Sequence, residues 1–407
     1  MNEKKWKLAD RVEIGMKPVP IDRLPSGYRL DRVLGLVLPE NMIGSVVHEN
    51  HDGGLYEIRG TKTPSGDYVM MFPESLRGTR NGHISMKTEK VNNLVAFRSG
   101  DKGKTWNGPE VAFNIDYNQH GFIPFAPQRA KDAPKNRIYA FGTQPIWTLF
   151  QHPENGAIGY RWSDDDGHTW SDVHIIEPLN SPCYRGMSVM RMCETSTGAW
   201  LIGSHWGSPL QRRLSDGSRT HATRQFILRS EDQGNSWALL PESFPGGWCL
   251  PEFDRMEEGR PIMNESGDIL LMTRTCEGHL WQLWSDDDGI SWSDPEPTPL
   301  KHPNAPPMVF HLSTPDVFAA FHHNRHSGLY MNDDAKKDRS EIWVSISGDG
   351  GRTWGEPRFV FCNALFPSEG ETFRDYQCSY LDMFVDDGTV NIFCPHRWRR
   401  ALHLKIS

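Results

Sequence analysis

One eight-residue motif returns five times along the chain and constrains the fold more than any other feature. It reads Ser99-Gly-Asp-Lys-Gly-Lys-Thr-Trp106, Ser163-Asp-Asp-Asp-Gly-His-Thr-Trp170, Ser230-Glu-Asp-Gln-Gly-Asn-Ser-Trp237, Ser285-Asp-Asp-Asp-Gly-Ile-Ser-Trp292 and Ser347-Gly-Asp-Gly-Gly-Arg-Thr-Trp354. The serines lie 64, 67, 55 and 62 residues apart. The aspartates can accept hydrogen bonds from backbone N–H groups in a tight turn. The glycines suit a backbone angle that a Cβ would obstruct, and each tryptophan supplies an apolar plate to lock the turn onto its sheet. Strand-like segments precede most copies: Leu94–Phe97, Gln225–Leu228, Leu280–Leu283 and Glu341–Val344. A strand, the motif and a further extended segment make a hairpin. The aspartates are therefore read as turn fasteners, remote from any chemistry.

A period of this length built from short strands marks a β-propeller. The 37 Gly and 29 Pro of the 407 residues agree, since they break helices repeatedly and favour strands joined by turns. After the fifth motif, Ser379–Val385, Thr389–Phe393 and Leu402–Lys405 supply three more strands. An N-terminal strand, Arg32–Leu38, would complete a sixth blade and close the ring. The expectation is an all-β, six-bladed propeller in which residues 1–407 form one domain and the segment 1–45 contributes the closing strand.

Charge narrows the partners. With 44 basic and 52 acidic side chains the net charge is −8, which argues against nucleic acid. No apolar run is long enough for a membrane-spanning helix. Seven scattered cysteines without Cys-x-x-Cys spacing argue against a disulfide framework and a zinc site. His48-x-x-His51 is a weak metal signal whose third ligand cannot be named, so no metal or organic cofactor is expected. Met1–Asp10 has no apolar stretch behind its basic residues, so a cytoplasmic location is the expectation; a mature secreted form would read the same way.

The repeats resemble the Asp-box, or BNR, repeats of the sialidase (neuraminidase) superfamily, whose members are six-bladed propellers. That resemblance covers the chain from about residue 50 onward and implies an exo-acting glycoside hydrolase for a terminal acidic sugar such as sialic acid. It also implies a tyrosine nucleophile, the exception among glycosidases, with a glutamate drawing its proton. Arginines would clamp the substrate carboxylate. The run Glu257-Glu258-Gly through Met272-Thr-Arg274 is similar to the family's glutamate–arginine segment. It implies Glu258 as the base, with Glu257 as competitor, and Arg274 in the clamp. Arg339, before the last repeat, is the implied third arginine. Tyr380 and Tyr376 both precede the Asp387-Gly388 turn and are the candidate nucleophiles, Tyr380 nearer the family spacing.

Two positions depart from the family. Its first arginine opens an Arg-Ile-Pro unit, where this chain has Tyr56-Glu57-Ile58-Arg59; Arg59, Arg77 and Arg80 are the substitutes, Arg59 preferred. The acid/base aspartate is missing, since no Asp lies between Asp67 and Asp101. Glu74, Glu89 and His83 are the proton carriers available there, with His83 chosen as the candidate. Histidines cluster with arginines at 48–51, 322–325 and 396–400, so strands could converge a His base on the axis. Two alternatives follow: a lyase or hydrolase for uronic-acid or other plant and algal sugars with a His base, and a non-catalytic glycan-binding propeller. Trp147, Trp162, Trp206 and Trp248 lie outside the repeats as stacking faces for sugars or, more simply, blade packing.

Overall fold

The computed structural model describes residues 7–50, 53–74, 92–115, 121–128, 136–144, 156–213, 219–251, 255–327, 338–366 and 377–407. Apart from a short N-terminal hairpin, the strands form six antiparallel sheets, the blades of a propeller, and the described residues contain no α-helix. The innermost strands of blades one to six are Arg59–Lys62, Ile123–Phe125, Met192–Glu194, Glu257–Met263, Met308–His311 and Asp382–Asp386. Apolar residues from facing blades interlock, as where Phe141 and Ile158 of blade two meet Trp200 and Phe226 of blade three. Burying such faces between blades is what a single sheet cannot do for itself.

Ring closure differs from the sequence expectation. The sixth blade is completed by Met42–Glu49, which pairs with Arg400–Ile406 from Met42↔Ile406 to Glu49↔Arg400. Arg32–Leu38 is not that strand. Its latter part lies in Leu36–Pro39, which pairs with Arg358–Asn363 at the outer edge of blade five, and Tyr28–Asp31 adds beyond it. Leu34, Leu36, Leu38 and Met42 share one core cluster, so both segments satisfy the same burial and only long-range register separates them.

The repeats behave as fasteners. In every copy the serine hydroxyl accepts the glycine N–H at 2.7–2.9 Å. One aspartate oxygen accepts the Ser/Thr backbone N–H at 2.8–2.9 Å, and the other accepts the side-chain hydroxyl. Two successive left-handed residues make the turn, and four of the five first positions are not glycine: Lys102, Asp166, Gln233 and Asp288. Each motif ends the third strand of its blade. That strand runs parallel to the innermost one, so all five motifs lie on the face where innermost strands end.

On the axis, Asp382 ties four blades together. It accepts from Arg191 at 2.7 Å, from Arg260 at 3.0 Å and from the Gly60 N–H at 3.0 Å. Beyond it, a cavity of about 850 Å³ opens at the ends of the innermost strands, lined among others by Lys62, Phe125, Arg191, Asn264, Phe310 and Phe384.

Candidate active site

The opposite face, where innermost strands begin, gathers the residues with chemistry. Tyr380 enters just before the innermost strand of blade six and donates its hydroxyl to Glu258 Oε1 at 2.8 Å. Glu258, at the start of blade four, accepts from Arg274 Nη1 at 2.6 Å on its other oxygen, and the same Nη1 lies 3.2 Å from the Tyr380 hydroxyl. Tyr380 is 4 % exposed and Glu258 1 %. Tyrosine, carboxylate and guanidinium thus form a closed triangle out of bulk water.

Strained backbone delivers these groups. Tyr380 has φ 64°, Glu258 φ 52°, Glu57 φ 41° and Ser188 φ 56°. Non-glycine residues in this region each cost on the order of 1–3 kcal/mol, and such strain clusters at functional sites. All four precede or open innermost strands, and at Tyr380 and Glu258 this backbone carries the two side chains that bond to each other. In blade four it is also a bulge, because register jumps between Glu257↔Arg274 and Arg260↔Met272. The extra residue places Glu257 and Glu258 both against Arg274, with Glu257 3.0 Å from its Nε.

Blade three holds this bulge from behind. The Glu258 N–H donates to His205 Nδ1 at 3.3 Å and the Gly259 N–H to Gln225 Oε1 at 2.7 Å. Glycine at 203 lets the Gly259 carbonyl approach its Cα more closely than a side chain would permit.

Electrostatics keep the triangle poised. Burial and the neighbouring Glu258 charge push the Tyr380 phenol well above its usual range, so it is neutral until a base takes its proton. Burial opposes the charge on Arg274, but Glu258 and Glu257 together hold it fully protonated. Burial also raises the Glu257 carboxyl, and the Arg255 and Arg274 charges more than offset this and hold it below the usual carboxylate range.

Arg339 joins through Asn304. The side-chain oxygen of Asn304 accepts from Arg274 Nε at 2.6 Å, and its backbone carbonyl accepts from Arg339 Nη2. Arg339 Nη1 donates to Gln377 at 3.1 Å, and its backbone carbonyl accepts the Cys378 N–H at 2.8 Å. The two arginines are therefore neighbours on the tyrosine's face of the propeller, one buried and one half-buried. Trp398, half-buried, lies 5.4 Å from the Tyr380 ring and 5.3 Å from that of Tyr56, an aromatic wall beside the phenol.

A family profile described as a BNR repeat-like domain matches residues 127–392, more than half of the chain. The chain belongs to the BNR repeat-like domain family. Solved structures agree on the fold of this BNR-repeat protein. A protein of unknown function from Dyadobacter fermentans matches with TM-score 0.62 at 16% identity, covering 92% of this chain and 100% of that one. A Hadza microbial sialidase matches with TM-score 0.63 at 17% identity, covering 96% and 70%. The Trypanosoma rangeli sialidase, in complex with 2,3-difluorosialic acid as a covalent intermediate, matches with TM-score 0.58 at 12% identity, covering 91% and 60%. The likeness is one of fold, the six-bladed propeller; no curated protein matches the chain in sequence.

Other expected site residues of the BNR-repeat chain fall elsewhere. Arg59 does not join the clamp: its Nη1 donates to the Tyr380 carbonyl at 3.0 Å, so it engages main chain rather than the phenol. The charge of Glu57 is among those raising the Tyr380 phenol. Tyr376, His83, Arg77, Arg80, Glu89 and Trp147 lie outside the described residues. Glu74 ends the second strand of blade one, bonded to His48 at 2.6 Å and Asn50 at 2.9 Å. Among the described residues, the clustered histidines at 322, 323 and 396 do not converge as bases either. His322, His323 and His396 are wholly buried and have both ring nitrogens engaged. Asn304, His205 and Gln225 carry no motif, and only their long-range partners reveal their part.

Proposed function

We propose that this BNR-repeat propeller is an exo-acting glycoside hydrolase that removes a terminal acidic sugar, of the sialic-acid kind, through a tyrosine nucleophile. The observation that carries the reading is the hydrogen bond from the Tyr380 hydroxyl to the buried Glu258 carboxylate. A phenol held well above its usual pKa is a poor nucleophile alone, and a carboxylate 2.8 Å away can take its proton as the oxygen attacks. A neutral phenol also meets an anionic sugar without the repulsion a carboxylate nucleophile would suffer. Arg274 and Arg339 would face the sugar carboxylate, with Arg274 also paired to Glu258 at 2.6 Å beside the phenol. In the first step the phenolic oxygen bonds to the anomeric carbon, the phenol's proton passes to Glu258, the bond from that carbon to the aglycone oxygen breaks, and the aglycone takes a proton from solvent. Water then bonds to the anomeric carbon as its bond to Tyr380 breaks, Glu258 returns its proton to the phenolate, and the proton shed by the water passes to solvent. Likeness to sialidases supports the reading at the level of the fold.

Trapping with 2,3-difluorosialic acid tests it. Mass should be added to the peptide carrying Tyr380 in the parent protein and to none in Tyr380→Phe. Glu258→Gln should lower kcat by roughly 10²–10⁴. An adduct on another residue, or full turnover by Tyr380→Phe, would overturn the assignment.

A further inference from the structure

Two buried histidines away from the reacting atoms link the groups assigned above. His302 and His323 stack with ring centroids 5.0 Å apart and planes 15° apart, at 1 % and 0 % exposure. His302 follows the last strand of blade four, and His323 follows the second strand of blade five.

Their partners fix their tautomers. His323 Nδ1 lies 2.8 Å from the Glu341 carbonyl, which can only accept, so Nδ1 carries the proton. Its Nε2 is then an acceptor, 3.1 Å from the hydroxyl of Ser379, the residue before Tyr380. His302 Nδ1 accepts the His323 backbone N–H at 3.2 Å, so its Nε2 carries the proton. That N–H is shared between the carbonyls of Ala305 and Pro306, each at 3.2 Å. Both rings are neutral donor–acceptor relays with opposite tautomers.

Each relay ends on one arm of the site. His323 grips Ser379 and so the strained residue that aims the phenol. His302 grips the turn 302–306, whose Asn304 touches Arg274 through its side chain and Arg339 through its carbonyl. Asn304 reaches both arginines only while that turn keeps its shape.

We propose that the stacked His302–His323 pair is a positioning element that fixes the nucleophile-bearing segment and the arginine clamp relative to each other, His323 acting through Ser379 and His302 through Asn304. The proposal rests on reading Tyr380 as nucleophile and the two arginines as the carboxylate clamp. It predicts a split that a merely structural role would not produce, because the arms serve different steps.

Asparagine and glutamine separate the two nitrogens of each ring. In His323→Asn the amide keeps the donor to Glu341 and loses the acceptor for Ser379, whereas His323→Gln keeps an acceptor there. In His302→Asn the acceptor for the His323 N–H stays and the donor to Ala305 and Pro306 is lost, whereas His302→Gln restores that donor. Turnover of a methylumbelliferyl α-glycoside of N-acetylneuraminic acid is measured for the four variants, Ser379→Ala, the double variant His323→Asn/Ser379→Ala and Tyr380→Phe, with thermal melting of each. His323→Asn and Ser379→Ala should each lower kcat about 10–100-fold at constant KM, and the double variant should lose no more than either. His302→Asn should raise KM about 10-fold with kcat nearly kept. The glutamine variants should recover most of each loss. Melting points that fall while kcat and KM stay at parent values, or equal effects of His302→Asn and His323→Asn on both constants, would overturn the proposal. If Tyr380→Phe loses turnover while His323→Asn keeps it, only this inference fails. If the parent protein is inert or Tyr380→Phe is active, the functional reading fails and this inference with it.

Discussion

Replacing Gly203 by alanine tests whether blade three sets the position of Glu258. The alanine Cβ would stand 1.9 Å from the Gly259 carbonyl oxygen and 2.7 Å from the carbonyl carbon, where ordinary contact begins at 3.4 Å. One backbone must therefore retreat by roughly 1.5 Å, and neither atom belongs to a flexible side chain. Gly203 sits inside a strand paired to Ile227, so the strained bulge at 257–260 is the softer of the two. Overpacking of this kind costs about 1–3 kcal/mol, and a displacement near 1 Å of a reacting group costs on the order of 10² in rate. Thermal melting should thus fall by a few degrees while kcat falls about a hundredfold at nearly constant KM. Gly348→Ala is the control, because its Cβ meets nothing within 4 Å, and it should change neither. A Gly203→Ala protein with lowered melting temperature and parent kcat would refute the idea that this contact aims Glu258.

Other perturbations separate scaffold from site. Asp287→Ala removes the acceptor of the Ser291 N–H and hydroxyl and of the Ser285 hydroxyl on the face away from Tyr380. It should cost about 1–2 kcal/mol in denaturant unfolding and leave kcat intact. Arg339→Lys, which keeps the charge but loses the planar fork, should raise KM for an acidic glycoside roughly tenfold and spare a neutral one. Acid should destabilise the fold before carboxylates titrate. Burial holds His322 near a pKa of about 4 and His323 near about 3, so below 6.5 the unfolded chain binds protons that the folded chain refuses. Stability present above pH 6.5 should therefore be lost as pH falls toward 3, by about 1.4 kcal/mol per such histidine per pH unit. A melting temperature flat between pH 7.5 and 5 would contradict this.

The fold was legible because its signal is local. Each Ser-x-Asp-x-Gly-x-Ser/Thr-Trp unit closes its own turn, so five sequence copies report five blades without knowledge of any distant contact. The closing strand was not legible for the opposite reason. Leu36–Pro39 and Met42–Glu49 both flank a shared core, and only pairing with Arg400–Ile406, at the other end of the chain, selects one. Within the site, Glu258, Arg274, Arg339 and Tyr380 are expected from resemblance to spaced motifs; Glu258 and Arg274 lie 16 residues apart on paired strands, and Tyr380 reaches them from 122 and 106 residues away. Arg59 stands in for an arginine expected two positions earlier, where the chain has Glu57 with φ 41° just before the innermost strand of blade one; Arg59 opens that strand and its guanidinium bonds the Tyr380 carbonyl.

Glu57 bears on what the proposed site can hold. Arg274 and Arg339 already serve internal partners, because Arg274 faces two carboxylates and Arg339 faces the Asn304 carbonyl and Gln377. Glu57 adds a third buried carboxylate near the phenol. An incoming sugar carboxylate would therefore bind mainly at Arg339, which is only partly buried, while Glu57 would receive a hydroxyl of the same sugar. Glu57→Gln should then tighten binding of an acidic glycoside by reducing repulsion and weaken that of a neutral polyol analogue by removing a charged acceptor. Measuring both Kd values by calorimetry decides the matter: weaker binding of both ligands would mean that Glu57 holds the pocket together and does not read the substrate.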